Sequence, residues 1–209
     1  MKDEFLRFLL FNFLDKSHNS NKDTLKDFLN LRDCQYLFYQ CDNLMEVPEM
    51  DTSSATNMKQ MFFGCTNLVS VPNMDTSKVT DMSTMFSKCE NLVSIKGLDL
   101  SSVTKTTSMF SFCTKLKELT LIRIPVPIKL DECNLLSVDS LVNTIQQLIT
   151  SSSSKILTIG STNLEKIAGL YCKIINNSSD IKPMTLCNSS DSGAMSLIEY
   201  ASKKNWQVK

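Results

Sequence analysis

Histidine occurs once in this 209-residue sequence, at His18, and glycine only five times. One histidine leaves none of the spacings that zinc ligands require. Five glycines exclude a low-complexity linker. No Cys-x-x-Cys pair occurs; Cys34 and Cys41 are the closest cysteines, with six residues between them. A Gly-x-Ser-x-Gly elbow, a phosphate-cradling glycine loop, a His-Glu-x-x-His helix and paired carboxylates are all missing, so the sequence does not read as an enzyme. Neither sign of charge dominates, with 22 Lys+Arg against 22 Asp+Glu. A nucleic-acid partner held by net charge is therefore not expected. Long apolar runs are lacking too. The opening segment at 5–14 is too short to span a bilayer, and Asp3, Glu4 and Arg7 interrupt it where a signal peptide would be continuous. The expectation is cytoplasmic synthesis without a secretory leader, hence reduced thiols.

What the chain has is a period. Cys41, Cys65, Cys89 and Cys113 are spaced by 24 residues. Phe38, Phe62, Phe86 and Phe110 each stand three before a cysteine, and Leu44, Leu68, Leu92 and Leu116 each stand three after. Asp51, Asp75 and Asp99 keep the same period, as do Thr56, Thr80 and Thr104. A half-copy at 31–38 extends the pattern upstream. Within a unit, Met82, Met85, Phe86 and Cys89 have the i, i+3, i+4, i+7 spacing of a helical face, which predicts a short helix capped by Thr80. The stretch from Leu92 to Ile95 then reads as a short strand. Helix, corner and strand repeated in this way predict an α/β solenoid with a parallel β-ladder.

The string Val-Thr-x-Met-x-x-Met-Phe-x-x-Cys-x-x-Leu at residues 79–92 resembles the BspA-like leucine-rich repeat. That repeat belongs to surface proteins of gut and oral bacteria, mycoplasmas and lactobacilli, and to gut-phage and prophage proteins. The likeness covers residues 31–121. The C-terminal segments 155–167 and 194–209 resemble the terminal segment found after such repeats, with Asn205-Trp206 in place of the usual Gly-Trp. The resemblance implies a leucine-rich-repeat fold and recognition of a protein or cell-surface macromolecule, without a cofactor. It fits a bacteriophage virion, tail-associated or host-attachment component, or alternatively a bacterial cell-surface adhesin.

Three regions are expected: an N-terminal helical cap at 1–30, repeats at 31–122, and capping coils at 123–209. In the cap, Phe5 and Leu9 share a stripe that Phe8 and Phe11 overfill. This segment either covers the end of the repeats or docks the chain into an oligomer or larger assembly. In the last region, residues 138–149 predict a helix capped by Ser137, and KILTIG predicts a strand. A short helix is expected near 162–170, an outward loop at 172–192, and a helix near 192–203 before a terminal strand at 206–208.

Four equivalent nucleophiles would be peculiar, so Cys41, Cys65, Cys89 and Cys113 are read as buried small hydrophobes, stacked beside Phe38, Phe62, Phe86 and Phe110. Disulfides between them would suit neither the parallel Cβ directions of a ladder nor a reducing compartment. Cys133, Cys172 and Cys187 fall outside the ladder. Asn43, Asn67 and Asn91 suit corners, and Asp51, Asp75 and Asp99 suit Asx-turns rather than calcium. The candidate binding face is made of Glu46, Ser70, Ser94 and Glu118, with Pro48, Pro72, Lys96 and Thr120, because these positions flank the inward-facing strand residues and vary between units.

Overall fold

The computed structural model describes residues 32–47, 49–174, 184–187, 190 and 195–209. The expected N-terminal helices, with Phe5, Phe8, Leu9 and Phe11, lie outside the described residues, as does Pro48. The described chain is a mixed α/β structure of short helices and mainly parallel strands. It has β1 (Ser94–Asp99), β2 (Glu118–Ile122), β3 (Ile128–Lys129), α1 (Val138–Gln146), β4 (Lys155–Thr158), α2 (Gly160–Ile167), β5 (Tyr171–Ile174), β6 (Met184–Cys187), β7 (Met195–Ser196), α3 (Leu197–Lys203) and β8 (Trp206–Val208).

Units offset by 24 residues lie side by side, but the helix predicted in each is not there. Met85 N–H donates to Met82 O (3.2 Å) and Cys89 N–H to Phe86 O (3.0 Å). Thr84 and Lys88, the third residues of these two turns, have φ of 53° and 63°. A 4→1 hydrogen bond with positive φ at the third position is the signature of a type II turn. Two such turns in succession point Met82, Met85, Phe86 and Cys89 inward, just as one helical face would. The alternate N–H groups leave the unit: Met82, Thr84, Phe86 and Lys88 donate to the carbonyls of Lys105, Thr107, Met109 and Ser111. Tyr36 and Gln40, Gln60 and Gly64, and Ser108 and Phe112 repeat the positive φ. An isolated helix of two turns is unstable, whereas bonds exported to a neighbour recur at every unit. Thr80 is accordingly not a helix cap: its Oγ1 donates to Thr56 O (3.1 Å), one rung of a threonine ladder.

The units pair in parallel both just before the turns and on the strand side. Asp33, Asn57, Asp81 and Lys105 form successive bridges, and Ser70 bridges Ser94. β1 pairs with β2 from Ser94↔Glu118 and Ile95↔Leu119 to Leu98↔Leu121. The register slips because Lys96 and Gly97 together oppose Thr120, with Gly97 at φ 69° taking up the extra residue as a bulge.

Beyond the repeats, α1 starts where expected, with Ser137 Oγ accepting from Ser140 N–H. β3, β4 and β8 form a parallel sheet in the order β3-β4-β8. α3 carries a full capping box between Ser196 and Glu199. The loop expected at 172–192 instead contains paired strand, since β5 reaches Ile174 and β6 lies wholly within it, and β5 pairs antiparallel with both β6 and β7. One buried apolar cluster runs continuously from Cys34 to Trp206.

Candidate functional site

The cysteines have a definite structural role. Cys65, Cys89 and Cys113 are buried, and their thiols donate to the carbonyls of Phe38 (2.9 Å), Phe62 (3.0 Å) and Phe86 (3.1 Å) in the preceding unit. Each of those carbonyls also accepts the N–H of the cysteine three residues on. The Phe rings stack alongside, with centroids 5.3, 5.5 and 6.0 Å apart and planes within 9°. Burial pushes the Cys89 thiol up to about 12 and raises the Cys65 and Cys113 thiols well above their ordinary value. At neutral pH these are therefore thiols rather than thiolates. Cys41, at the first rung, is half-buried.

Cys133, which the period leaves unassigned, is the next rung. Leu130, Cys133 and Leu136 reproduce the Phe-x-x-Cys-x-x-Leu turns, and the Cys133 thiol faces Phe110 O at 3.7 Å. Leucine in place of phenylalanine and a spacing shortened by four residues hide this copy from a search for identity. Cys34 likewise occupies the column of Met58 and Met82. Cys172 and Cys187 lie on the paired strands β5 and β6.

The corners behave as expected. Asn67 Nδ2 donates to Asp42 O and Asn91 Nδ2 to Thr66 O, both at 2.8 Å. Asp51, Asp75 and Asp99 accept the N–H of Ser53, Ser77 and Ser101 at 2.8–3.0 Å. Hydrogen bonds from Ser53 and Ser77 hold Asp51 and Asp75 below the usual carboxylate range. Among the described residues, no cluster of three or more His, Cys, Asp or Glu side chains is placed to hold a metal ion.

The candidate face is formed in part. Ser70, Ser94 and Glu118 stand in consecutive rungs. Glu46 adjoins them in the first unit, where the Val69 N–H donates to the carbonyl of Met45 beside it. The second column is not a straight ladder: Pro72 is half-buried, Lys96 and Thr120 are exposed, and the bulge at Lys96 and Gly97 displaces one from the other. The expectation missed the neighbouring column. Met45 is 63% exposed and Val69 42%, followed by half-buried Val93 and exposed Lys117. The period was visible there, but only the structure shows these apolar side chains turned outward.

Together these features define a mixed α/β protein in which 24-residue units stack in parallel register and present columns of side chains to solvent. The chain belongs to the family described as "Mycoplasma protein of unknown function, DUF285", whose profile matches residues 14–121, just over half of its length. No curated protein and no solved structure matches the chain. No described helix is long and apolar enough to cross a membrane.

Proposed function

We propose that this chain is a non-catalytic recognition protein, a BspA-like leucine-rich-repeat solenoid that binds a protein or another cell-surface macromolecule through its exposed strand-side columns. The observation supporting this reading is the constant register of the units. Inward positions repeat the same residue types, while Glu46, Ser70, Ser94 and Glu118 change at one site of the ladder. A fixed backbone with variable outward side chains allows binding chemistry to change without changing the fold. The high thiol pKa values speak against a cysteine nucleophile, since the reactive species would be scarce.

The setting we favour is a bacteriophage virion, tail-associated or host-attachment protein. The mycoplasmal description of the family favours the alternative of a bacterial cell-surface adhesin. In either setting, fluorescently labelled protein is expected to bind whole bacterial cells. Glu46→Lys and Lys96→Glu are each expected to weaken that binding about tenfold, the effect of about 1.4 kcal/mol, without altering the circular dichroism spectrum. Equal binding by wild type and both variants would overturn the reading. Deletion of residues 1–14 tests a structural assembly role. Loss of incorporation into a larger particle by a chain that stays folded would support that role over surface binding.

A further inference from the structure

We infer that the corner lined by Ser101, Arg123, Ile149 and Thr150 binds a carboxylate-bearing sugar. The site shares no residue with the strand-side columns and stands or falls apart from them. It is a cavity of about 410 Å3, a volume that accepts a small ligand.

The cavity arises where the repeat changes its corner chemistry. Ser53, Ser77 and Ser101 hold one corner position at 24-residue steps, and the next two steps reach Pro125 and Ile149. At the first three corners an aspartate two residues earlier accepts the serine N–H at 2.8–3.0 Å. At the fourth, Arg123 replaces that acceptor and Pro125 has no N–H to give, so the corner bond cannot form. The backbone is held differently there. Arg123 takes φ 52°, its N–H donates to Gln147 Oε1 (3.2 Å), and Pro125 O accepts from Lys155 Nζ at the start of β4. The flanking corners keep their places. Ser101 N–H stays on Asp99 Oδ1, Ile149 N–H donates to Ile124 O (3.3 Å), and Ile149 O accepts from Trp206 Nε1 (2.8 Å). Ser101 and Ile149 line the space between them, and Pro125 does not.

The lining combines three kinds of group. A guanidinium is charged at every working pH and forms paired hydrogen bonds with a carboxylate. The hydroxyls of Ser101 and Thr150 can each donate and accept, which suits the hydroxyls of a sugar. Ile149 offers an aliphatic surface to the C–H groups of its ring. Asp99 accepts the Ser101 N–H at its own corner and is not part of the lining. A left-handed arginine is uncommon, and backbone strain of this kind clusters at ligand sites. Because hydrogen bonds already fix these walls, less ordering is needed when a ligand binds.

Methyl NMR of the full chain, with the Ile149 signal assigned through Ile149→Val, tests this with glucuronate and with glucose, which lacks the carboxylate. Glucuronate is expected to shift the Ile149 signal with a dissociation constant on the order of millimolar, and glucose to bind at least about tenfold more weakly. Arg123→Gln is expected to weaken glucuronate binding about tenfold, with circular dichroism confirming the fold. Glu46→Lys is expected to leave the titration unchanged, so failure of the strand-side reading and failure of this one are told apart. An Ile149 signal unmoved up to about 50 mM glucuronate, equal binding of glucose, or an unaltered titration in folded Arg123→Gln would overturn the proposal. So would inorganic phosphate binding as tightly as glucuronate, which would make the cavity a site for any small anion.

Discussion

Thr52 and Thr76 occupy the same column of successive units, yet their hydroxyls have opposite fates. The Thr76 hydroxyl is buried, donates to Asp99 O (2.9 Å) and accepts from Asp99 N–H (2.8 Å). The buried Thr52 hydroxyl has no partner among the described residues. Thr76→Val is therefore expected to destabilise by about 1–3 kcal/mol, because it strands the Asp99 backbone groups. Thr52→Val is expected to be neutral or stabilising by up to about 1 kcal/mol, since it removes an unsatisfied group. Urea unfolding of the two variants side by side checks both signs. Thr84 carries a second residue-scale liability, a β-branched side chain at φ 53°. Thr84→Gly relieves about 1–2 kcal/mol of strain and loses part of that to unfolded-state entropy, so a net gain of about 0.5 kcal/mol is expected in the same assay. The thiols make stability pH-dependent. Cys89 ionises at about 12 when folded, against an ordinary 9.0, so the folded chain holds a proton that the unfolded chain releases. Its contribution is complete below pH 9.0 and disappears as pH rises toward 12. Urea midpoints should fall across that window, and Cys89→Ala should flatten the decline.

At the scale of the element, the ends of α1 and α3 carry the stabilising contacts. Ser137→Ala removes the side-chain acceptor at the start of α1 and is expected to cost about 1 kcal/mol. Just past the other end of α1, the buried Lys204 donates to Leu148 O at 2.6 Å and to Gln146 O, in the last residue of the helix, at 3.5 Å. Lys204→Met keeps the stem's bulk but leaves the Leu148 carbonyl unpaired, an expected loss of about 2–3 kcal/mol in thermal or urea unfolding. Asn205 explains how the terminal segment accommodates asparagine before the tryptophan. It has φ 67° just after α3, a conformation asparagine tolerates better than most residues, and its Nδ2 donates to Ser151 O (3.1 Å). Trp206 is thereby set with its Nε1–H on Ile149 O (2.8 Å) and its ring buried. Ser137, the strand at KILT and the terminal strand were legible because each announces itself in a few adjacent residues. The turns in the repeats were not, because two four-residue turns and a helix space their inward residues alike. Only the destination of the N–H groups distinguishes them.

At the scale of the molecule, each unit depends on its neighbours. Phe86 is buried between Phe62 and Phe110, its N–H donates to Met109 O, and its carbonyl accepts from both Cys89 and Cys113. Phe86→Ala is expected to cost about 3–5 kcal/mol and to lower the unfolding midpoint of the whole stack, since a central unit joins both sides. Separate fluorescence and circular dichroism transitions for the variant would argue against this coupling. The candidate face also belongs to this scale. No single unit contains it, and its columns exist only once several units are in register.

The period, the identity of the inward columns, the Asx corners and the first cap of α1 come from the sequence itself, because each rests on residue type and local spacing. Tertiary structure alone decided the rest. It set turns in place of helices, because hydrogen bonds to a neighbouring unit outweigh those a short helix could make for itself. It gave Cys133 a rung and displaced Lys96 from Thr120 by a bulge. It turned Met45 and Val69 outward, because which side of a strand meets solvent is set by the packing against its other side.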